Sequence, residues 1–209
     1  MTEIAYTLVA EGSADRALLP ILDWILEQTT TVVFQHQWPD LRLLRRPTEN
    51  LADRIQEALG LAPCDLLFVH RDADRGPRDG RVSEIHGALA TVPDQPAVCV
   101  IPVGMTETWL LFNEETIRRA AGNPNGTQPL CLPGAARLES LSNPKEALEN
   151  ALRTATGHTG RRLRRWSPAQ AVHRLATLIE DYAPLRRLPA FVAFEQELER
   201  VLADNNWLM

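Results

Sequence analysis

Lysine is almost missing from this sequence. Lys145 is the only one, so arginine carries nearly all of the basic charge. Cysteine is scarce and odd in number, at Cys64, Cys99 and Cys131, which excludes a disulfide-stapled scaffold. Cys64 and Cys99 flank apolar runs, which points to buried thiols in a reducing, cytoplasmic setting. No apolar run approaches the roughly 20 residues a membrane-spanning helix needs. The N-terminus MTEIAYTLVAEG has no basic segment ahead of its apolar stretch, so no signal peptide is expected. Positive charge is not in excess either. A net charge of −5 argues against nonspecific binding of nucleic acid by the whole surface. What is present suits a globular chain: 44% apolar and 23% charged residues, over a length that supports one core.

Three short apolar runs predict buried parallel strands: IAYTLVA (4–10), DLLFV (65–69) and AVCVIPV (97–103). A further strand is expected in VVFQ (32–35) or LRLL (41–44). Helical stripes lie between them. Ser13 is a plausible cap for Ala17, Leu18, Ile21, Leu22 and Ile25, with Pro20 predicting a kink or a later start. Leu51, Ile55 and Leu59 mark a second helix, with Gly60 as its expected stop. This alternation implies a mainly parallel α/β sheet flanked by helices over residues 1–122. The Gly- and Pro-rich stretch 122–135 reads as a loop. Residues 123–209 then read as a loop and a helical part packed on the first. Asn143-Pro144 and Ser167-Pro168 open two of its helices. Phe191, Phe194, Leu198 and Val201 stripe the last.

Ligands of parallel α/β sheets collect at the carboxyl ends of the strands. Glu11 follows the first strand, Asp72 and Asp74 follow the third, and Glu107 follows the fourth. Asp72 and Asp74 have the spacing that places both on one face of an extended segment. Neighbouring strands lie about 4.8 Å apart, close enough for such acids to share one ion. Carboxylates gathered in one place repel one another, and a hard divalent cation such as Mg²⁺ or Mn²⁺ relieves this.

The segments VAEGSADRALL, LLFVHRDADRG and IPVGMTETWLLF together resemble the signatures of TOPRIM-type domains. More narrowly, they are similar to a bacterial TOPRIM-like family of unknown function related to OLD-type nucleases. The resemblance implies a Rossmann-like fold, Mg²⁺ binding and work on phosphodiesters. It matches Glu11, Asp72 and Asp74 to the family's acids, and Glu107 with Trp109 to its Glu-x-Trp pattern. It also implies an ATPase partner protein in a bacterial defence system. Asn113 stands where the family often has another acid. Tyr6 and Tyr182 are the only tyrosines, one inside a strand and one ending a helix, so topoisomerase chemistry is not expected. A nuclease needs only metal-activated water, an acid or base and a groove for the backbone. Glu11 is then the general acid/base. Asp72 and Asp74 hold the metal, and Glu107 is a possible ligand of a second ion.

Simpler readings stay open. Glu11 and Glu107 suit the first turn of a helix. Asp72 and Asp74 suit a loop paired with Arg71 or Arg75. His70 suits a satisfied histidine at the edge of the core. The cluster RRLRR, with Arg161, Arg162, Arg164 and Arg165, reads as a loop between two capped helices that contacts DNA or RNA phosphates, or as solvated surface. Lys145, at a helix N-terminus, suits an anion. Two other functions fit the same residues: a non-catalytic interaction subunit on a TOPRIM scaffold, and a small-molecule phosphatase.

Overall fold

Four short, β-rich segments are separated by helices, and the chain solves their burial by stacking them in parallel. In a computed structural model that describes residues 4–41, 50–74 and 76–208, the strands are β1 (Ile4–Val9), β2 (Phe34–Gln37), β3 (Leu66–His70) and β4 (Ala97–Val100). They form one parallel sheet in the order β2-β1-β3-β4. The expected α/β class is therefore what the chain adopts. The remaining strand falls in the first of its two expected places, shifted to Phe34–Gln37. Residues 42–44 of the other place lie outside the described residues.

Alternate side chains along the strands feed two cores. Tyr6, Leu8, Leu66, Phe68, Val98 and Val100 face α1 (Leu19–Thr29) and the C-terminal helices. Val9, Leu67, Val69, Cys99 and Ile101 face α2 (Leu51–Leu61) and α3 (Arg78–Leu89). Both faces of β1, β3 and β4 are covered, which is why these three strands read as unbroken apolar runs. The helix after β1 lies on one face and the helices after β2 and β3 on the other. The topological switch point therefore falls between β1 and β3, where a crevice opens at their carboxyl ends.

Several local expectations shift. Ser13–Leu18 forms a 3-10 turn with Gly12 at its cap, and α1 begins only at Leu19 with Pro20 in its first turn. The proline thus delays the helix instead of kinking it. Gly60 lies inside α2, which runs one residue further to Leu61; the Ala62 amide closes it on the Ala58 carbonyl at 2.8 Å, and the Thr7 hydroxyl of β1 holds the Ala62 carbonyl at 2.8 Å.

The rest is helical: α4 (Glu114–Ala120), α5 (Pro144–Thr156), α6 (Gly160–Arg165), α7 (Pro168–Leu178) and α8 (Pro189–Asp204). Phe191, Phe194 and Leu198 of α8 join Phe68, Trp109 and the sheet in one continuous apolar core. Val201 is only half-buried, and Leu202 takes the fully buried place on that stripe. No helix among the described residues is long and apolar enough to cross a membrane.

Both expected caps of the helical part are made. Asn143 accepts the Glu146 amide at 3.1 Å, and Ser167 accepts that of Gln170 at 3.4 Å. Asn143→Ala should cost about 1 kcal/mol of stability in urea unfolding, the usual value for an N-cap. An unchanged midpoint would show the cap to be idle.

Candidate functional site

The loop after β3 stays strand-like for three residues past the last strand position. Arg71 N–H donates to Val100 O, Ala73 N–H to Pro102 O and Asp74 N–H to Gly104 O, at 3.2, 3.1 and 2.9 Å. This holds Asp72 against the segment that follows β4. Its Oδ1 accepts the Thr106 amide at 3.0 Å. Gly104 has φ +82°, and a Cβ there would meet Pro144 and Thr108 at 3.2 and 3.3 Å. The glycine thus lets the start of α5, with Lys145, close on the same loop.

At the centre is His70, the last residue of β3 and fully buried. Its Nδ1 lies 2.9 Å from the Val100 carbonyl oxygen, which can only accept. Its Nε2 faces Asp72 Oδ1 at 3.4 Å and Asp15 Oδ1 at 3.6 Å. The Thr106 hydroxyl, 3.3 Å from Nε2, donates to Asp15, so the carbonyl at one ring nitrogen and the two carboxylates at the other favour the imidazolium, which donates from both. Burial pushes the ring's pKa down, but hydrogen bonds and charge from Asp15 and Asp72 outweigh it and raise it to about 10. Asp15 shifts the opposite way. Burial works to raise its pKa, yet the bond to His70 and those from the Gly12 amide and Thr106 hydroxyl hold it below the usual range. His70 is thus a satisfied histidine, and its satisfaction comes from the acids.

Glu107 is the third buried acid, 7% exposed, in the 3-10 turn Thr106–Leu110. Burial raises its pKa, and the charges of Asp72 and Asp15 raise it further. Its own backbone amide and Lys145 only partly offset this. Loops after β1 and β3 therefore bring Asp15 and Asp72 to one imidazolium, and Glu107, after β4, lies close enough to feel the charge of both acids. Lys145 is exposed at the N-terminus of α5, near enough to act on Glu107.

The other two sequence-derived acids are placed differently. Glu11 is exposed and paired with Arg71, which also binds Glu84 at 2.8 Å. Asp74 does not continue the extended segment. Its φ of 51° is left-handed, and its carboxylate turns out to Arg81 at 3.1 Å. The i, i+2 argument for a shared face fails here because the strand geometry ends before Asp74. Arg81 also donates from Nε to the Asp72 carbonyl oxygen at 3.0 Å, so one guanidinium ties the loop together. Arg75 lies outside the described residues.

Asp15 is the residue that sequence reading missed. The signal was available: it follows Gly12 by three positions and returns to accept the Gly12 amide at 2.8 Å. Asn113 caps α4 by accepting the Thr116 amide. Tyr6 is buried and donates to Asp23 at 2.7 Å. Burial and that carboxylate both hold its proton on. Tyr182 is buried beyond the end of α7, with its hydroxyl on the Ala176 carbonyl. The RRLRR cluster is a short helix, α6, and not a loop. Arg161, Arg162, Arg164 and Arg165 are all exposed on it, and no ion pair among the described residues engages them.

One group of side chains among the described residues has the spacing to hold a metal ion. His86, Cys99 and Glu197 present ligand atoms that all lie within 4.8 Å of one another. Comparisons of the chain with protein-family models, with curated proteins and with solved structures return no significant match.

Proposed function

We propose that the chain is a Mg²⁺- or Mn²⁺-dependent phosphodiesterase of TOPRIM type, acting on DNA or RNA. One observation carries this reading. Asp15, Asp72 and Glu107 converge at the switch-point end of the sheet, while His70 is the only buried cation among them. Asp15, Asp72 and Glu107 outnumber His70 and Lys145, and the upward shift of Glu107 under the charge of the other two acids is the kind of strain a divalent ion would relieve. Asp72 and Glu107 would hold it, with Asp15 and His70 fixing Asp72 from behind. Glu11 and Asp74 complete the set only by exchanging their arginines. Asp74 is 59% exposed, and a surface pair of that kind is worth about 0–1 kcal/mol, so the exchange is cheap. When bound, the metal polarises phosphate and lowers the pKa of a bound water. Glu11, once released from Arg71, serves as the general acid/base. A link to an ATPase partner rests on the resemblance alone.

The test is cleavage of plasmid, linear DNA and RNA with Mg²⁺, with Mn²⁺ and with chelator. Metal-dependent cutting supports the proposal. No cutting, together with no saturable Mn²⁺ binding by calorimetry, defeats it. A second reading, a non-catalytic interaction subunit on the same scaffold, draws on the arginine pairing of Glu11 and Asp74. It predicts that flat calorimetric result.

The exposed arginines of α6 are the proposed phosphate contacts. For duplex DNA, each neutralised phosphate makes log affinity fall by about 0.9 per log unit of salt. Arg162→Glu with Arg164→Glu should therefore flatten the salt slope by about 1.8. An unchanged slope would assign the cluster to solvent.

A further inference from the structure

A different kind of donor set lies at the free edge of the sheet. Among the described residues, β4 has a strand neighbour on one side only. On its other side the Cys99 amide donates to Glu197 Oε1 of α8 at 2.9 Å, where a fifth strand would otherwise bond. The Cys99 side chain points to the opposite face of the sheet, into the core shared with Ile85 and Ala88 of α3. His86, exposed in the last turn of α3, completes the group.

Thiol, imidazole and carboxylate together are a zinc set and not a magnesium set, since a hard ion has no use for sulfur. Tetrahedral bonds of about 2.0–2.3 Å place ligand atoms about 3.3–3.8 Å apart. The ligand atoms lie within 4.8 Å of one another, so closing on an ion needs the His86 and Glu197 side chains to move by up to about 1 Å. A second observation lies beside them. Arg78 approaches Glu197 Oε2 at 3.7 Å, and its Nε and Nη2 are buried without a hydrogen-bond partner. A water in the fourth zinc position would offer those donors an oxygen.

We propose that His86, Cys99 and Glu197 bind one Zn²⁺, with water as the fourth ligand, and that the ion clasps α3 to α8 around the edge of β4. On binding, the Cys99 S–H bond breaks, its proton leaves to solvent and the thiolate takes the metal. The site is independent of the Asp72 acids, and its role is to fix the C-terminal helix on the α/β part.

The protein is stripped with chelator and titrated with Zn²⁺ by calorimetry and with Co²⁺ by absorption. One equivalent should bind, Co²⁺ should give a thiolate charge-transfer band, and Zn²⁺ should raise the unfolding temperature. His86→Ala, at an exposed position, should keep the native circular dichroism and weaken Zn²⁺ binding roughly 10-fold or more. Cys99→Ser should abolish the Co²⁺ band. Asp72→Asn should leave the Co²⁺ thiolate band unchanged, which separates this site from the acids. The proposal is overturned if no thiolate band forms, or if His86→Ala binds Zn²⁺ as tightly as the native chain.

Discussion

Asp72→Asn should lower metal-dependent cleavage by about 100-fold or more while leaving the fold in place. Like Asp15 it faces His70 and acts on Glu107, and its Oδ1 alone anchors the Thr106 amide, at 3.0 Å. Asparagine keeps an oxygen for that amide, so the loop after β4 stays seated. What is lost is the anionic ligand. Hundredfold corresponds to about 2.7 kcal/mol of transition-state stabilisation, within reach of a single metal ligand. Initial rates on plasmid at saturating Mg²⁺, with circular dichroism as the control for folding, decide it. Asp74→Asn should lose less, because that carboxylate is exposed and already spent on Arg81. Equal rates for native and Asp72→Asn protein would remove the catalytic claim.

The second large effect is on stability. In chelator, the protein should lose stability steadily as pH rises above about 6.5. The folded His70 pKa, at about 10, stands above the unfolded value of 6.5. Its contribution is therefore complete below pH 6.5, falls as the unfolded imidazole alone gives up its proton, and is gone once pH passes about 10. Each unit of pH within that window costs about 1.4 kcal/mol. The total is of the order expected for breaking a buried ion pair, roughly 3–5 kcal/mol. The groups facing the ring are Asp15 and Asp72, with Glu107 and Lys145 just beyond. Urea unfolding between pH 6.5 and about 8.5 avoids the ordinary range of tyrosine and most thiol ionisation. His70→Gln should flatten the slope. A native slope near zero would mean that His70 is neutral in the folded protein and that the acids around it carry their charge uncompensated.

Much of the frame was readable from residues alone. Three continuous apolar runs signalled strands covered on both faces, and Asn143-Pro144 and Ser167-Pro168 announced helix starts. Local chemistry suffices there, because a cap or a buried strand is decided by its immediate neighbours. The acids at the carboxyl ends of the strands were legible by the same route, through Asp72 and Glu107. Asp74 was misread for an equally local reason: spacing assumes that the strand continues, and a left-handed residue ends it.

The sequence by itself determined the parallel α/β class and the concentration of acids after the strands, since both follow from short-range patterns. Only the tertiary structure decided which acids meet. Strand order put the β1 and β3 loops side by side, drew Asp15 from a helical turn to His70, and gave Glu11 and Asp74 to arginines. It likewise joined Cys99, His86 and Glu197 from three separate elements. Charge pairing across a fold depends on distance in space, and nothing in the spacing of a chain records that distance.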